Sequence, residues 1–208
     1  IVSTMIEPNL GIYRNKNTGE KIAFGEYIHP LTDKNLWPDF INNNFYTADN
    51  RFSLEWLEWF GNNYEFLGAL SPVEICQNAK RLLEILPKST SVAYILGPEI
   101  PFGGETNSNY FGREKVYSEI NRLFRELHAA NPRVLLIDVN RWVKKQSAFT
   151  NNINHWQRQI YYNMANCVND FIYELTGAKL TTKSGAYLLQ RKFADRVAKT
   201  GLFKTKLW

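Results

Sequence analysis

Two short apolar runs decide the fold: "SVAYILG" at 91–97 and "RVLLIDVN" at 133–140. Each reads as a buried strand, the first closed by a Gly. Between them, "GREKVYSEINRLFRELHAANP" (112–132) brings Tyr117, Ile120, Phe124 and Leu127 onto one stripe, which predicts an amphipathic helix. On the N-terminal side, "SPVEICQNAKRLLEILP" (71–87) predicts another helix. Ser71 is its N-cap, Pro72 stands at N1 and Glu74 at N3, completing a capping box before Pro87 ends it. On the C-terminal side, "HWQRQIYYNMANCVNDFIYELTG" (155–177) predicts a third helix. Trp156, Ile160, Met164, Cys167 or Val168, Phe171 and Leu175 lie on one face, and Gly177 suits C′. Helix–strand–helix–strand–helix with short links predicts an α/β domain around a parallel sheet with right-handed crossovers.

The first 70 residues carry weaker patterns. "GEKIAFGEYI" (19–28) holds a strand or hairpin arm, and "FSLEWLEWF" (52–60) a short helix with Ser53 as its cap. The turn-rich, aromatic stretch 29–70 is expected to fold as an excursion over the sheet's edge, either as a functional loop or as a small aromatic subcore.

The 208 residues, 44% of them hydrophobic, suffice for one domain with a core. No apolar run approaches the ~20 residues of a membrane span, and no signal-peptide pattern is present. The start at "IVSTM" suggests that a segment was removed upstream. Cys76 and Cys167 fall on helix faces and read as buried free thiols; with three His and no His/Cys cluster, no metal site is expected.

Charge is unevenly placed. Residues 178–208 hold eight Lys and Arg against Asp195 alone, so the tail carries +7 and the body −2 of the chain's +5. A near-neutral body argues against nucleic acid as partner. The tail predicts a basic amphipathic helix within 183–208, either docked on the body or in contact with an anionic membrane surface or acidic partner. A cytoplasmic location, with the tail reaching the inner membrane's surface, is the corresponding expectation; the oligomeric state is not legible.

In open α/β sheets, ligands bind outside the C-terminal ends of the strands. "GPEIPFGGE" brings Gly97 and Glu99 there, and "DVNRW" brings Asp138, Asn140 and Trp142. The loop 148–155 must also return to the rim or its opposite edge before the last helix begins. Asn154 reads as the N-cap of the last helix with Gln157 at N3, which puts His155 at N1. There the helix's positive end would keep the imidazole neutral, and the cap would fix its direction, as a general base requires.

These features resemble the C-terminal part of the SGNH/GDSL hydrolase superfamily, over roughly residues 71–177. The resemblance implies a flavodoxin-like, three-layer α/β/α fold with a parallel sheet, carrying here the aromatic insertion and the basic C-terminal helix. The superfamily's last motif is Asp-x-x-His on a loop before the final helix. In "NINH" (152–155), His155 matches the His, and Asn152 stands where the orienting Asp is expected. "GPEI" (97–100) corresponds to the Gly-x-Asn-Asp motif, with Gly97 matching and Glu99 at the oxyanion-hole Asn. Glu99 or Asp138 could orient His155 instead. No Gly-Asp-Ser is present; Ser3 in "IVST" is the candidate nucleophile, and a segment upstream of Ile1 is the other place for one. The run 149–165 is also similar to the ends of SGNH-like proteins of bacterial surface-polysaccharide gene clusters.

The resemblance implies an ester hydrolase or O-acyltransferase acting on a glycan or acylated carbohydrate, with no cofactor or metal. Gly97, Asn140, Asn154 and Trp142 would line the substrate side, and Trp37, Trp56, Trp59 and Trp156 are further aromatics able to stack on sugars. Two alternatives stand beside it: a non-catalytic glycan-binding or scaffolding module of the same fold, and a glycosyltransferase-associated domain. The last lacks an Asp-x-Asp metal motif and a Gly-rich phosphate cradle.

Overall fold

The structure, a computed structural model, describes residues 1–5, 9–42, 52–103, 112–150 and 153–177. By its contacts the chain divides into two units, Ile1–Met164 and Ala165–Trp208. Asn152 and the basic tail 178–208 lie outside the described residues.

The described elements are β1 (Val2–Ser3), β2 (Leu10–Asn15), β3 (Lys21–Glu26), α1 (Trp37–Ile41), α2 (Leu54–Asn63), β4 (Tyr64–Gly68), α3 (Pro72–Ile85), β5 (Val92–Leu96), α4 (Arg113–Ala130), β6 (Val134–Asp138) and α5 (Arg158–Thr176). The fold is mixed α/β. A three-stranded parallel sheet has the order β1-β5-β6, with β5 central. The α3 and α4 helices arise where the sequence pattern predicts them. The capping box of α3 is present in both directions: Ser71 Oγ accepts from Glu74 N, and Glu74 Oε2 accepts from Ser71 N.

Side chains alternate across a strand, so one face of the sheet presents Val92, Tyr94 and Leu96 beside Val134 and Leu136. That face packs on Ile75, Ala79 and Leu83 of α3 and on Tyr117, Ile120, Phe124 and Leu127 of α4. Tyr94 meets Phe124 edge to face, with centroids 4.8 Å apart.

The N-terminal excursion begins earlier than the sequence pattern indicates. The β2 strand pairs antiparallel with both β3 and β4, and this second sheet, ordered β3-β2-β4, holds its own core. Tyr13, Leu31, Trp37, Phe40, Leu57 and Phe60 are buried in it. Of the two expectations for 29–70, the aromatic subcore is the one seen. Strands β2 and β4 were not anticipated, because their apolar residues are few and interrupted. Ser53 caps α2 as expected, its Oγ accepting from Trp56 N.

The last helix corrects an expectation. It starts at Arg158, three residues after His155. Residues 148–150 and 155–157 instead lie against each other like the arms of a hairpin, with a bridge between Phe149 and Trp156. Thr150 N donates to His155 O at 2.9 Å and Gln157 N to Ala148 O at 2.7 Å. Asn154 is therefore not the N-cap and His155 not in the first turn. The cross-loop backbone bonds and the burial of Phe149, Ile153 and Trp156 outweigh the local cap pattern. Cys76 is buried and Cys167, expected to be buried, is half-buried. Among the described residues no helix is long and apolar enough to cross a membrane.

Candidate functional site

The candidate site is the C-terminal rim of the parallel sheet. The loop after β5 comes first. Gly97 lies under the ring of Tyr117, and a Cβ there would stand 2.5 Å from the ring's Cγ, so only glycine fits. Asn121 of α4 holds Gly97 from both sides: its Oδ1 accepts from Gly97 N at 3.2 Å, and its Nδ2 donates to Gly97 O at 2.8 Å. Asn121 is fully buried, and these bonds offset the cost of burying its amide.

From the other flank, Asn140 ties the same loop to the end of β6. Its Oδ1 accepts from Glu99 N at 2.7 Å, and its Nδ2 donates to Gly97 O and to Asp138 Oδ1, both at 2.9 Å. Asn140 thus spends its side chain on holding the loop.

The two rim carboxylates converge on Arg125 of α4. Its Nη2 lies 2.8 Å from Glu99 Oε1 and 2.9 Å from Asp138 Oδ2. Glu99 Oε1 also accepts from Asn121 Nδ2. Burial alone would raise the Asp138 carboxyl, but hydrogen bonds from Arg125 and from the side chain and backbone of Asn140 outweigh it and hold it below the usual carboxylate range. For Arg125, burial opposes the charge, and the bonds to Asp138 and Glu99 more than compensate, raising it further. The hydrogen bonds and ion pairs of Glu99 and Asp138 run to Arg125, Asn121 and Asn140, and none to His155. The expectation that one of these carboxylates orients His155 is therefore corrected: Arg125 pairs with both.

The histidine loop is fixed from beneath. Phe149, Ile153 and Trp156 are buried in the main core, whereas Asn154 is half-buried and His155 exposed. Tyr117 donates to Asn154 Oδ1 at 2.9 Å and lies 3.4 Å from the carbonyl oxygen of Met5, just past β1. Asn154 of the histidine loop, Gly97 after β5 and Met5 after β1 thus meet around one phenol. Trp142 is half-buried against the core, with Arg141 over its ring at 5.7 Å. Trp37 and Trp156 are buried, whereas Trp59 is 52% exposed.

Ser3 sits within paired β1, opposite Ile95 and two residues below the level of Gly97. Its Oγ accepts from Met5 N at 3.3 Å, and it makes no hydrogen bond to His155. Among the described residues no cluster of three or more His, Cys, Asp or Glu could hold a metal ion.

Sequence reasoning missed Asn121 and Arg125, and took Tyr117 for a core residue alone. One signal was available: Asn121 falls four residues after Tyr117 and three before Phe124, on the apolar stripe. A polar residue at a core position marks a buried hydrogen-bonding role.

No protein-family model, no curated protein and no solved structure matches this chain.

Proposed function

We propose that the chain is an SGNH-like acyl-transfer domain of flavodoxin-like architecture, acting as an ester hydrolase or O-acyltransferase on an acylated glycan. One observation carries the reading: Tyr117 gathers the His155 loop, the Gly97 turn and the end of β1 at one corner of the sheet's C-terminal rim. An acyl-transfer site needs a base and a strand end for the nucleophile at such a corner. The strand order β1-β5-β6 agrees with it. The glycan as substrate rests on the resemblance of residues 149–165 and on the supply of aromatics.

In the proposed cycle a serine hydroxyl attacks the ester carbonyl. The new bond is Ser Oγ to carbonyl carbon, and the bond to the leaving alkoxide breaks. His155 takes the serine proton and delivers it to that alkoxide. Water or a sugar hydroxyl then attacks the acyl-serine, His155 takes its proton, and serine leaves with that proton. Ser3, or a serine upstream of Ile1, would serve as nucleophile.

The test is turnover of p-nitrophenyl acetate and labelling by a fluorophosphonate, for this chain and for one extended upstream. His155→Ala should lower kcat about 1,000-fold or more in whichever form is active. Turnover unaffected by the substitution removes His155 from the mechanism. Activity confined to the extended chain puts the nucleophile upstream.

A second reading, a non-catalytic glycan-binding module of the same fold, is favoured by the occupation of Glu99 and Asp138 by Arg125 and of the Ser3 hydroxyl by Met5 N. It expects no labelling in either chain, with calorimetric binding of a polysaccharide that is lost on substituting rim residues.

A further inference from the structure

Tyr117 is completely buried, and its hydroxyl stands where three segments end. A phenol sunk in an apolar core needs a polar partner. Here the nearer partner is Asn154, the residue before His155, and the more distant one is the Met5 carbonyl. The ring cannot slide away from this place, because it rests on Gly97, whose backbone is clamped by Asn121. Further ties hold the stem and the underside of the loop. Backbone bonds Thr150 to His155 and Gln157 to Ala148 close the stem, and Phe149, Ile153 and Trp156 seat the underside. The Tyr117 hydroxyl ties the core to the tip.

We infer that Tyr117 is the positioning residue of the His155 loop. Its hydroxyl fixes Asn154, and through Asn154 the backbone that carries His155. The assignment of a base role to His155 rests on the acyl-transfer reading above; the positioning itself rests on the contacts just described. Loss of the hydroxyl should leave the ring packed and the chain folded while letting the tip turn. A misdirected base lowers the rate of the chemical step and leaves substrate binding nearly intact.

The experiment is a double-mutant cycle over Tyr117→Phe and Asn154→Leu, with Asn154→Asp as the variant that keeps an acceptor and Tyr94→Phe as a control for loss of a buried hydroxyl elsewhere. Two readouts are taken: the His155 ring resonances with amide exchange at Thr150, and kcat and KM for p-nitrophenyl acetate. We expect Tyr117→Phe to shift the His155 resonances and to speed exchange at Thr150 by about tenfold, with Tyr94→Phe doing neither. Turnover should fall by roughly tenfold to a hundredfold with KM within about twofold. The double variant should be no worse than either single, and Asn154→Asp should keep about half of the turnover.

Unchanged His155 resonances in Tyr117→Phe, or additive effects in the double variant, overturn the positioning. Absence of turnover and labelling in every form overturns the acyl-transfer reading instead, and the cycle read in the His155 resonances then decides the positioning alone.

Discussion

In the parallel-sheet region Tyr117, Asn121 and Thr4 are buried among aliphatic and aromatic neighbours, whereas the antiparallel region around Tyr13 is filled by rings and two leucines. Polar groups are buried in both, but they close differently. In the antiparallel region the Tyr13 hydroxyl accepts from Leu31 N, and Trp37 Nε1 donates to Leu31 O, so both close on one residue. In the parallel region Asn121 and Tyr117 reach across from α4 to the Gly97 turn, and Tyr117 reaches on to Met5 and Asn154. Each buried polar atom demands a partner. Where that partner is distant in sequence, the bond also fixes the relative position of two segments. The contrast separates a region that only has to cohere from one that holds a rim in register.

The largest effect expected from this contrast lies in two glycines. Gly97→Ala must push a methyl into the Tyr117 ring, with backbone on both sides held by Asn121, and should cost about 2–3 kcal/mol in urea unfolding. Gly61 in α2 offers its added Cβ an ordinary contact of 3.4 Å with the Trp37 ring. Gly61→Ala should therefore be neutral or stabilise by up to about 1 kcal/mol, because alanine costs less helical entropy. Equal losses at both positions would mean that the rim is no tighter than the rest of the molecule.

The same contrast explains what was legible in the sequence. Strands β5 and β6 stood out because a strand covered on both faces is a continuous apolar run. Helices α3 and α4 stood out because their buried stripes recur at helical spacing and Ser71 with Glu74 marks a start. Strands β2 and β4 did not. In "LGIYRN" and "YEFLG" burial is partial, and Gly, Arg and Glu interrupt the pattern. The histidine loop misled for a physical reason. "NHWQ" satisfies the local grammar of a capped helix, yet the cross-loop bonds and three buried side chains hold it as a hairpin. Local propensity is worth tenths of a kcal/mol per residue, and burial of three large apolar side chains is worth several. Gly97, Glu99, Asp138 and Asn140 were placed at the rim from topology alone. Their partners on α4 were not, since Asn121 and Arg125 lie on a separate segment and only the fold brings them near.

A smaller difference is expected between two arginines. Arg14 pairs with Glu65 across the antiparallel sheet with both side chains about half exposed, and Arg14→Met should cost less than about 0.5 kcal/mol at any pH. Arg125 serves two carboxylates at the rim, and Arg125→Met should cost about 1 kcal/mol at pH 7, an amount already reduced for its partial exposure. Because the Asp138 carboxyl is depressed in the folded chain, its contribution is present above the unfolded carboxyl's pKa, near 4, and lost as the pH falls through the folded value. The gap between wild type and Arg125→Met should thus narrow on acidification, while the Arg14→Met gap stays near zero. Urea titrations from pH 7 to pH 3 measure both; a constant Arg125→Met gap would remove Asp138 as its source.

The smallest difference is expected between the two serine caps, and it sharpens the comparison because the motifs differ by one side chain. Ser53 and Ser71 each accept from the N3 backbone amide of their helix. At N3, α2 has Trp56 and α3 has Glu74, whose carboxylate accepts from the backbone and hydroxyl of Ser71. Those bonds, the backbone one foremost, lower the Glu74 carboxyl from its usual value. Substitution by alanine should cost about 1 kcal/mol at Ser71 and somewhat less at Ser53 at pH 7. A depressed carboxylate contributes above its unfolded pKa and stops contributing once protonated. Below about pH 4 the charge-assisted bond from the Ser71 hydroxyl is gone, and the cost of Ser71→Ala should fall toward that of Ser53→Ala. The Ser53→Ala cost has no carboxylate behind it and should not follow the pH. If the two costs run parallel from pH 7 to pH 3, the box adds nothing to α3 beyond the single serine bond that α2 already has.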